Sequence, residues 1–214
     1  MKLYTFFRSG TSHRLRIALR LKGLAHDHEA VDLRREQHLR AEYRSVHPQG
    51  FVPALQTDGD DGLLIQSPAI LEWLEERHPE PPLLPADPAA RARVRALAAI
   101  VGCDIHPVNN RRILEALRHD FGADETAIHR WCASWIGAGF DAIEALLAAD
   151  AQRRGFCFGD SPTLADVYLV PQVESARRFG VDLGRWPLIG EVDAACARLP
   201  AFRDAVPAVQ PDAS

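Results

Sequence analysis

The sequence predicts an α/β domain followed by an all-α domain, and three observations carry that prediction. Roughly the first eighty residues alternate strand-type and helix-type patterns in the order β-α-β-α-β-β-α, that of a mixed sheet with helices packed on it. Five of the chain's fifteen prolines then fall within "HPEPPLLPADPAAR", residues 78–91, a density that neither a helix nor a central strand tolerates. Beyond it there are only long runs with helical spacing and no convincing strand. The expected boundaries are 1–79 for the first domain, 80–88 for a proline-rich linker and 89–214 for a helical domain.

Each element has a local reason. "KLYTFF" is a short β-type run, and the stretch from Thr11 to Lys22 is helical and closed by Gly23. "HDHEAVDL" reads as a second strand, followed by a polar helix near Glu36 to Val46. "FVPAL" and "GLLIQ" flank "TDGDDG", an Asp/Gly turn that signals a hairpin. "SPAILEWLEERH" opens a helix with Ser67 as N-cap and Pro68 at the first helical position. Downstream, "RARVRALAAIVGCDIHPVNNRRILEALRHDF" reads as one long helix that Pro107 kinks. "ADETAIHRWCASWIGAGFDAIEALLAAD" is a second, with shorter helices near 163–178 and 186–197. Thr163 and Asp166 stand at capping-box spacing, with Asp in place of the usual Glu, and fix a helix start.

Composition narrows the function. At 214 residues, 47% hydrophobic and 25% charged, the chain has the balance of a soluble globular protein. Its net charge of −4 argues against a nucleic-acid binder. Cys103, Cys132, Cys157 and Cys196 form no CxxC pair and read as free thiols in a reducing compartment, with no zinc site or disulfide frame. "MKLYTFFRSG" is no signal peptide, and no apolar run approaches the roughly 18 residues a membrane helix requires. The expected location is the cytoplasm.

Chemistry concentrates in "FRSGTSHRLRIALRLKG", residues 7–23. Small and hydroxyl residues stand where a strand hands over to a helix, with Arg8 and Arg14 on either side. A helix start leaves backbone N–H groups unpaired and carries partial positive charge, so it favours an anion. Taken alone, Ser9 and Ser12 read as simple capping. Arg14 shares a face with Ile17, Ala18 and Leu21, and a guanidinium there needs either a structural carboxylate or a bound anion. Arg16 and Arg20 form a separate i,i+4 row that reads as solvated. "HPVNNRR" gathers His106, Asn109, Asn110, Arg111 and Arg112, either as a wet surface or as the lining of a site.

These residues together resemble the cytosolic glutathione transferases over essentially the whole chain. "FRSGTSHRLRIAL" is similar to the zeta-class signature, "VPAL" to the segment whose Val-Pro bond is cis in that fold, "QSPAI" to its γ-glutamyl site and "TLADVYLVPQVESARRF" to its C-terminal motif. "RSGTSHRLRIAL" with "IVGCDIHPVNNRRILE" resembles, more narrowly, the bacterial glutathione-dependent maleylpyruvate isomerases. The resemblance implies a thioredoxin-like βαβαββα domain, a helical substrate-binding domain, a homodimer and glutathione as cofactor. It places Ser9 on the glutathione sulfur, with Gly10, Thr11, Ser12 and Arg14 in the same motif. Val52 and Pro53 would meet the cysteinyl backbone, Gln66 and Ser67 the γ-glutamyl end, and His38 the glycyl end, although a lone histidine on a polar helix is also simply solvated. His106 and Asn110 would complete the glutathione site. Maleylacetoacetate isomerases carry a cysteine where this chain has Thr11, so no role of that cysteine carries over.

The implied reaction is cis–trans isomerisation of a maleyl-type dicarboxylate, maleylpyruvate to fumarylpyruvate as in gentisate-type aromatic degradation. Thiolate addition makes the double bond single, rotation follows, and expulsion leaves the trans isomer. That needs a stabilised thiolate and fixed cations. The first is the work of Ser9, with Thr11 beside it; the second falls to Arg8, Arg111, Arg112 and Arg178, which pair carboxylates as guanidinium forks. The alternatives are a maleylacetoacetate isomerase, a general glutathione transferase, or a silent partner-binding protein of the same fold. A turn without cysteine argues against thioredoxin-type redox chemistry.

Overall fold

In the computed structural model, which describes residues 1–213, two compact units divide the chain: Met1–Pro82 with Leu199–Ser214, and Leu83–Arg198. This differs from the sequence-based boundaries at one end. The last residues group with the first unit, because α9 (Pro200–Arg203) packs on α1 (Gly10–Leu21) and Phe202 and Ala205 are buried.

In the first unit, β1 (Lys2–Thr5) alternates half-buried and buried positions, as a strand with one covered face requires. It pairs parallel with β2 (Asp27–Ala30) and antiparallel with β3 (Ala54–Gln56), which pairs antiparallel with β4 (Leu63–Ile65), giving the order β2-β1-β3-β4. Leu15, Ile17 and Leu19 of α1 and Ile70, Leu71 and Leu74 of α3 (Ser67–Arg77) are fully buried with Leu3 and Leu55. Each such side chain contributes roughly 1.5–3 kcal/mol. At the end of α1, the buried Lys22 ammonium donates to Glu75 Oε2 at 2.8 Å, His78 O at 2.6 Å and Pro81 O at 3.0 Å, so all three protons have acceptors.

Two expectations for this unit are corrected. No single helix spans 36–46: Glu36 is left-handed (φ 54°) and Arg40 extended, which breaks the stretch into a 3-10 turn at Gln37–Leu39 and the short α2 (Ala41–Val46). Ser67 is not an N-cap but the first helical residue; Gln66, at φ 69°, precedes it and no side chain caps α3.

In the second unit, α4 (Pro88–Ala99) does not run on through Pro107. It widens into a π-type segment at Ile100–Ile105, tightens into a 3-10 turn at Pro107–Asn109 and gives way to a new helix, α5 (Arg111–Asp120). Proline lacks the N–H that a continuous ladder needs, and the run breaks instead of kinking. α6 (Glu125–Ala149) buries Ile128, Cys132, Ile136, Phe140, Ile143 and Leu147 on one stripe. A Cβ at Gly139 would meet Ile105 Cδ1 at 2.2 Å, so only glycine permits that approach. By length and composition α6 could cross a membrane, with mean hydropathy 1.3 over its most apolar window, but its stripe is the core of this unit. α7 (Leu164–Arg178) and α8 (Pro187–Ala197) complete the unit near the expected positions.

The capping box at α7 is present: Asp166 accepts from Thr163 N at 2.7 Å and Thr163 Oγ1 at 2.9 Å. Its other oxygen accepts from Cys157 N at 2.8 Å and faces Cys196 Sγ at 3.9 Å. Burial pushes this carboxyl above its usual range, while the bonds from Cys157 and Thr163 oppose the shift.

Candidate active site

Sheet register assembles the first-unit candidates. β1 runs antiparallel to β3, with Tyr4 opposite Ala54, and β3 antiparallel to β4, with Ala54 opposite Ile65. The chain leaving β1, the chain entering β3 and the chain leaving β4 therefore share one end of the sheet. These are the turn Phe6–Ser9, the dipeptide Val52–Pro53 and the pair Gln66–Ser67. The Val52–Pro53 bond is cis, as the resemblance implied; Glu80–Pro81 is also cis, which no motif signalled.

At the turn, Ser9 is extended (φ −70°, ψ 121°) and its Oγ accepts from Ser12 N at 3.2 Å, which starts α1. Thr11 Oγ1 donates to Val52 O at 2.9 Å and lies 2.9 Å from Ser9 Oγ. A hydroxyl has one proton, so in this arrangement Ser9 donates to Thr11. Buried Ser12 Oγ accepts from Phe6 N at 3.4 Å. Of the three hydroxyls, Thr11 is committed to Val52 and Ser12 is enclosed, which leaves Ser9, half-buried, as the donor able to turn to an incoming atom. Gly10 opens the helix in ordinary helical conformation, and no acidic residue stands in the first turn. The positive end of α1 therefore has no acidic side chain of its own to offset it.

Arginines flank the turn differently from expectation. Arg8 is exposed and Arg14 is 2% exposed, as the apolar-face argument requires. Arg16, expected in solvent, is 1% exposed. Its Nε donates to Ala205 O at 3.0 Å, its NH2 to Phe7 O at 3.0 Å, and its NH1 to Thr5 Oγ1 at 3.3 Å and Phe6 O at 3.5 Å. Burial brings its pKa down to about 10, opposed by the charge of Asp212. The i,i+4 row was read as solvent-facing because the acceptors that enclose Arg16 include Ala205, far along the chain. His13, not singled out from the sequence, is 2% exposed; burial, then Arg16 and Arg14, lower its pKa to about 3, so it is neutral.

At the other two stretches, Val52 and Ser67 are buried and Gln66 is exposed. The first turn of α3 lacks a side-chain cap and offers its N–H groups to a carboxylate. His38 lies in the 3-10 turn, and its carbonyl oxygen stands 2.6 Å from where a Cβ would sit on Gly50 (φ 64°), which only glycine allows and which brings His38 against the segment leading to Val52. A cavity of about 300 Å³ in this unit, lined by Tyr4, Glu29, Arg40 and Tyr43 among others, includes none of these residues.

In the second unit, Asn110 caps α5: its Oδ1 accepts from Ile113 N at 3.4 Å and its Nδ2 donates to Pro107 O at 2.7 Å. Arg111 and Arg112 follow, both exposed, Arg111 paired with Glu115 at 3.2 Å. His106 is half-buried. At the end of α7, Arg177 is held by Asp193 and Glu174. Arg178, exposed, donates to Ser175 Oγ at 3.1 Å and lies 5.1 Å from the Phe179 ring centre. Acidic neighbours thus hold Arg177, while Arg178 lies over an aromatic ring.

A family model for the glutathione S-transferase N-terminal domain matches residues 8–77, and one for the glutathione S-transferase C-terminal domain matches residues 125–209. The chain belongs to the glutathione S-transferase family. A zeta-class member, a bacterial maleylpyruvate isomerase described as a holo structure, superposes on it with a TM-score of 0.98 at 66% identity, each chain covered in full. The maleylpyruvate isomerase of a Ralstonia species is 66% identical over 214 residues, again all of both chains. A maleylacetoacetate isomerase from Methylobacterium extorquens AM1, solved with malonate and glutathione, matches with a TM-score of 0.95 at 36% identity over all of both chains. The transferase's own residues fit glutathione: the open start of α1 suits a sulfur anion, and the uncapped start of α3, at the same end of the sheet, suits a carboxylate.

Proposed function

We propose that this transferase is a glutathione-dependent cis–trans isomerase that converts maleylpyruvate to fumarylpyruvate. The observation that carries the reading is the start of α1, where Ser9 is, of the three hydroxyls there, the one able to turn and no acidic residue stands in the first turn. When bound, glutathione supplies the thiolate whose reversible addition allows rotation about the former double bond. Ser9 donates to the sulfur and holds it as the anion, and Thr11 keeps Ser9 oriented through Val52 O. Gly10, Ser12 and Arg14 build that turn. Gln66 and Ser67, at the uncapped start of α3, take the γ-glutamyl carboxylate, and Val52–Pro53 faces the cysteinyl backbone. His38, His106 and Asn110 contact the remainder of the tripeptide, Asn110 with what its capping role leaves. Arg8, beside the turn, faces the charge that develops on the substrate. Arg111, Arg112 and Arg178 bind its carboxylates, which accept two parallel bonds from a guanidinium.

Maleylacetoacetate is the second substrate reading, favoured by the likeness to the isomerase solved with glutathione and malonate, a small dicarboxylate. Ultraviolet assays with both acids, each with and without glutathione, decide between them. Ser9→Ala is expected to lower turnover ten- to hundredfold, the equivalent of roughly 1.5–3 kcal/mol for one charge-assisted hydrogen bond, with a smaller change in glutathione affinity. Unchanged turnover in that variant would move the role to Thr11 or the backbone, and no turnover of either acid by the parent would end the isomerase reading. We also infer a cytoplasmic homodimer, consistent with four free cysteines. Sedimentation at micromolar concentration should then give about twice the chain mass, and an active monomer would refute the dimer.

A further inference from the structure

The turn that carries Ser9 is held from outside by the last residues of the chain. Phe6 and Phe7 have four backbone polar groups between them, and each has a partner. Phe6 N donates to Ser12 Oγ at 3.4 Å, and Phe6 O accepts from Ser9 N at 3.0 Å. Phe7 N donates to Asp212 Oδ2 at 2.9 Å, and Phe7 O accepts from Arg16 NH2 at 3.0 Å. The partners of Phe7 both depend on the tail. Asp212 belongs to it, and Arg16 is fixed by Ala205 O at 3.0 Å. The second oxygen of Asp212 meets His28 Nε2 at 3.0 Å, so the carboxylate spans β2 and the turn. The tail is itself braced, because buried Gln210 donates to Asp204 O at 3.1 Å and to Val206 O at 2.8 Å.

We propose that Asp212 is a positioning residue for the thiol site: by gripping the Phe7 N–H it fixes the peptide two residues ahead of Ser9, and with it the direction of the Ser9 hydroxyl. The inference rests on the glutathione reading above. Its physical basis is that a carboxylate accepting a backbone N–H is about twice as strong as a neutral acceptor, and that small displacements of a positioned group carry large rate penalties. Without Asp212 the Phe7 N–H loses its acceptor, the turn relaxes, and Ser9 Oγ no longer stays where it meets the sulfur.

The test compares the parent with Asp212→Asn and Asp212→Ala. It follows the ultraviolet band of the glutathione thiolate as bound glutathione is titrated with pH, alongside kcat, KM and Tm. The bound-thiol midpoint should rise in the order parent, Asp212→Asn, Asp212→Ala, by about half to one pH unit in the last. kcat should fall roughly tenfold in Asp212→Ala, with KM for glutathione within about twofold. A variant that melts earlier yet keeps the parental midpoint and kcat would show a purely structural tail and overturn the proposal. If Asp212→Ala does not fold, a parental midpoint in Asp212→Asn overturns it equally. No thiolate band in the parent would overturn the glutathione reading and the clamp together, whereas a parental band that neither variant moves overturns the clamp alone.

Discussion

Two helix starts in this chain share a hydroxyl residue at the N-cap and have opposite uses. α1 opens on Ser9 with Ser12 three residues on, and α7 opens on Thr163 with Asp166 three residues on. At α7 the third residue is a buried carboxylate that closes the helix end, accepting from Thr163 and from Cys157. At α1 the third residue is a neutral hydroxyl turned inward to Phe6 N, so the positive end of the helix is left to an outside anion. At the third helical position the sealed start has a buried Asp and the open one a Ser. A capping pattern by itself is thus evidence of a helix start, and the charge at its third position says whether that start can also be a site.

Removing the seal at α7 should have the largest effect. Asp166→Ala strips three backbone and hydroxyl donors of their acceptor inside the core, and the unfolding free energy measured in urea should fall by about 3–5 kcal/mol. A loss below about 1 kcal/mol would mean that the carboxylate is dispensable and α7 no different from α1. A carboxylate can also be placed at the third position of α1, as in α7. Ser12→Asp should raise the pKa of bound glutathione by about one unit, read from thiolate absorbance, and lower turnover about tenfold. A parental thiol midpoint in a folded Ser12→Asp protein would show that the open end of α1 contributes nothing. The smallest effect concerns His13, in the same helix. Its folded pKa, about 3, lies below the ordinary 6.5, so the unfolded state binds the proton and stability falls as pH drops below 6.5 towards 3. Between pH 6.5 and 5.5 His13→Gln should remove about 1 kcal/mol of that loss, measured as a flatter dependence of unfolding free energy on pH. An unaltered slope would place another group behind it.

Much of this was legible because it is local. Strand alternation, the Asp/Gly hairpin and the capping box at Thr163 depend on residues within a few positions of one another, and the structure has them. The Ser9 turn was legible as a helix start, and only the resemblance pointed to it as the thiol site proposed above. What escaped was set by distant partners. Arg16 carries the spacing of a solvated residue, yet Ala205 O encloses it from the other end of the sequence. Asp212 carries no motif at all, and its meaning appears only when the tail lies against Phe7. The start of α3 was placed on Ser67 by its hydroxyl, whereas the backbone turns at Gln66. The break at Pro107–Asn110 falls on a proline that was seen but credited with a kink, because sequence spacing does not say whether the neighbours will replace the lost hydrogen bonds.

Lys22 has a consequence for how this protein can be watched. Lys2 and Lys22 are its only lysines, the first 43% exposed at its side chain and the second 0%. An amine-reactive reagent therefore meets one accessible lysine and one whose every proton is engaged. Lys2 labels at the rate of the reagent and serves as an internal clock. Lys22 labels only when the end of α1 parts from Glu75, His78 and Pro81. The ratio of the two, followed by mass spectrometry, would report the opening frequency of that corner of the molecule without any engineered probe.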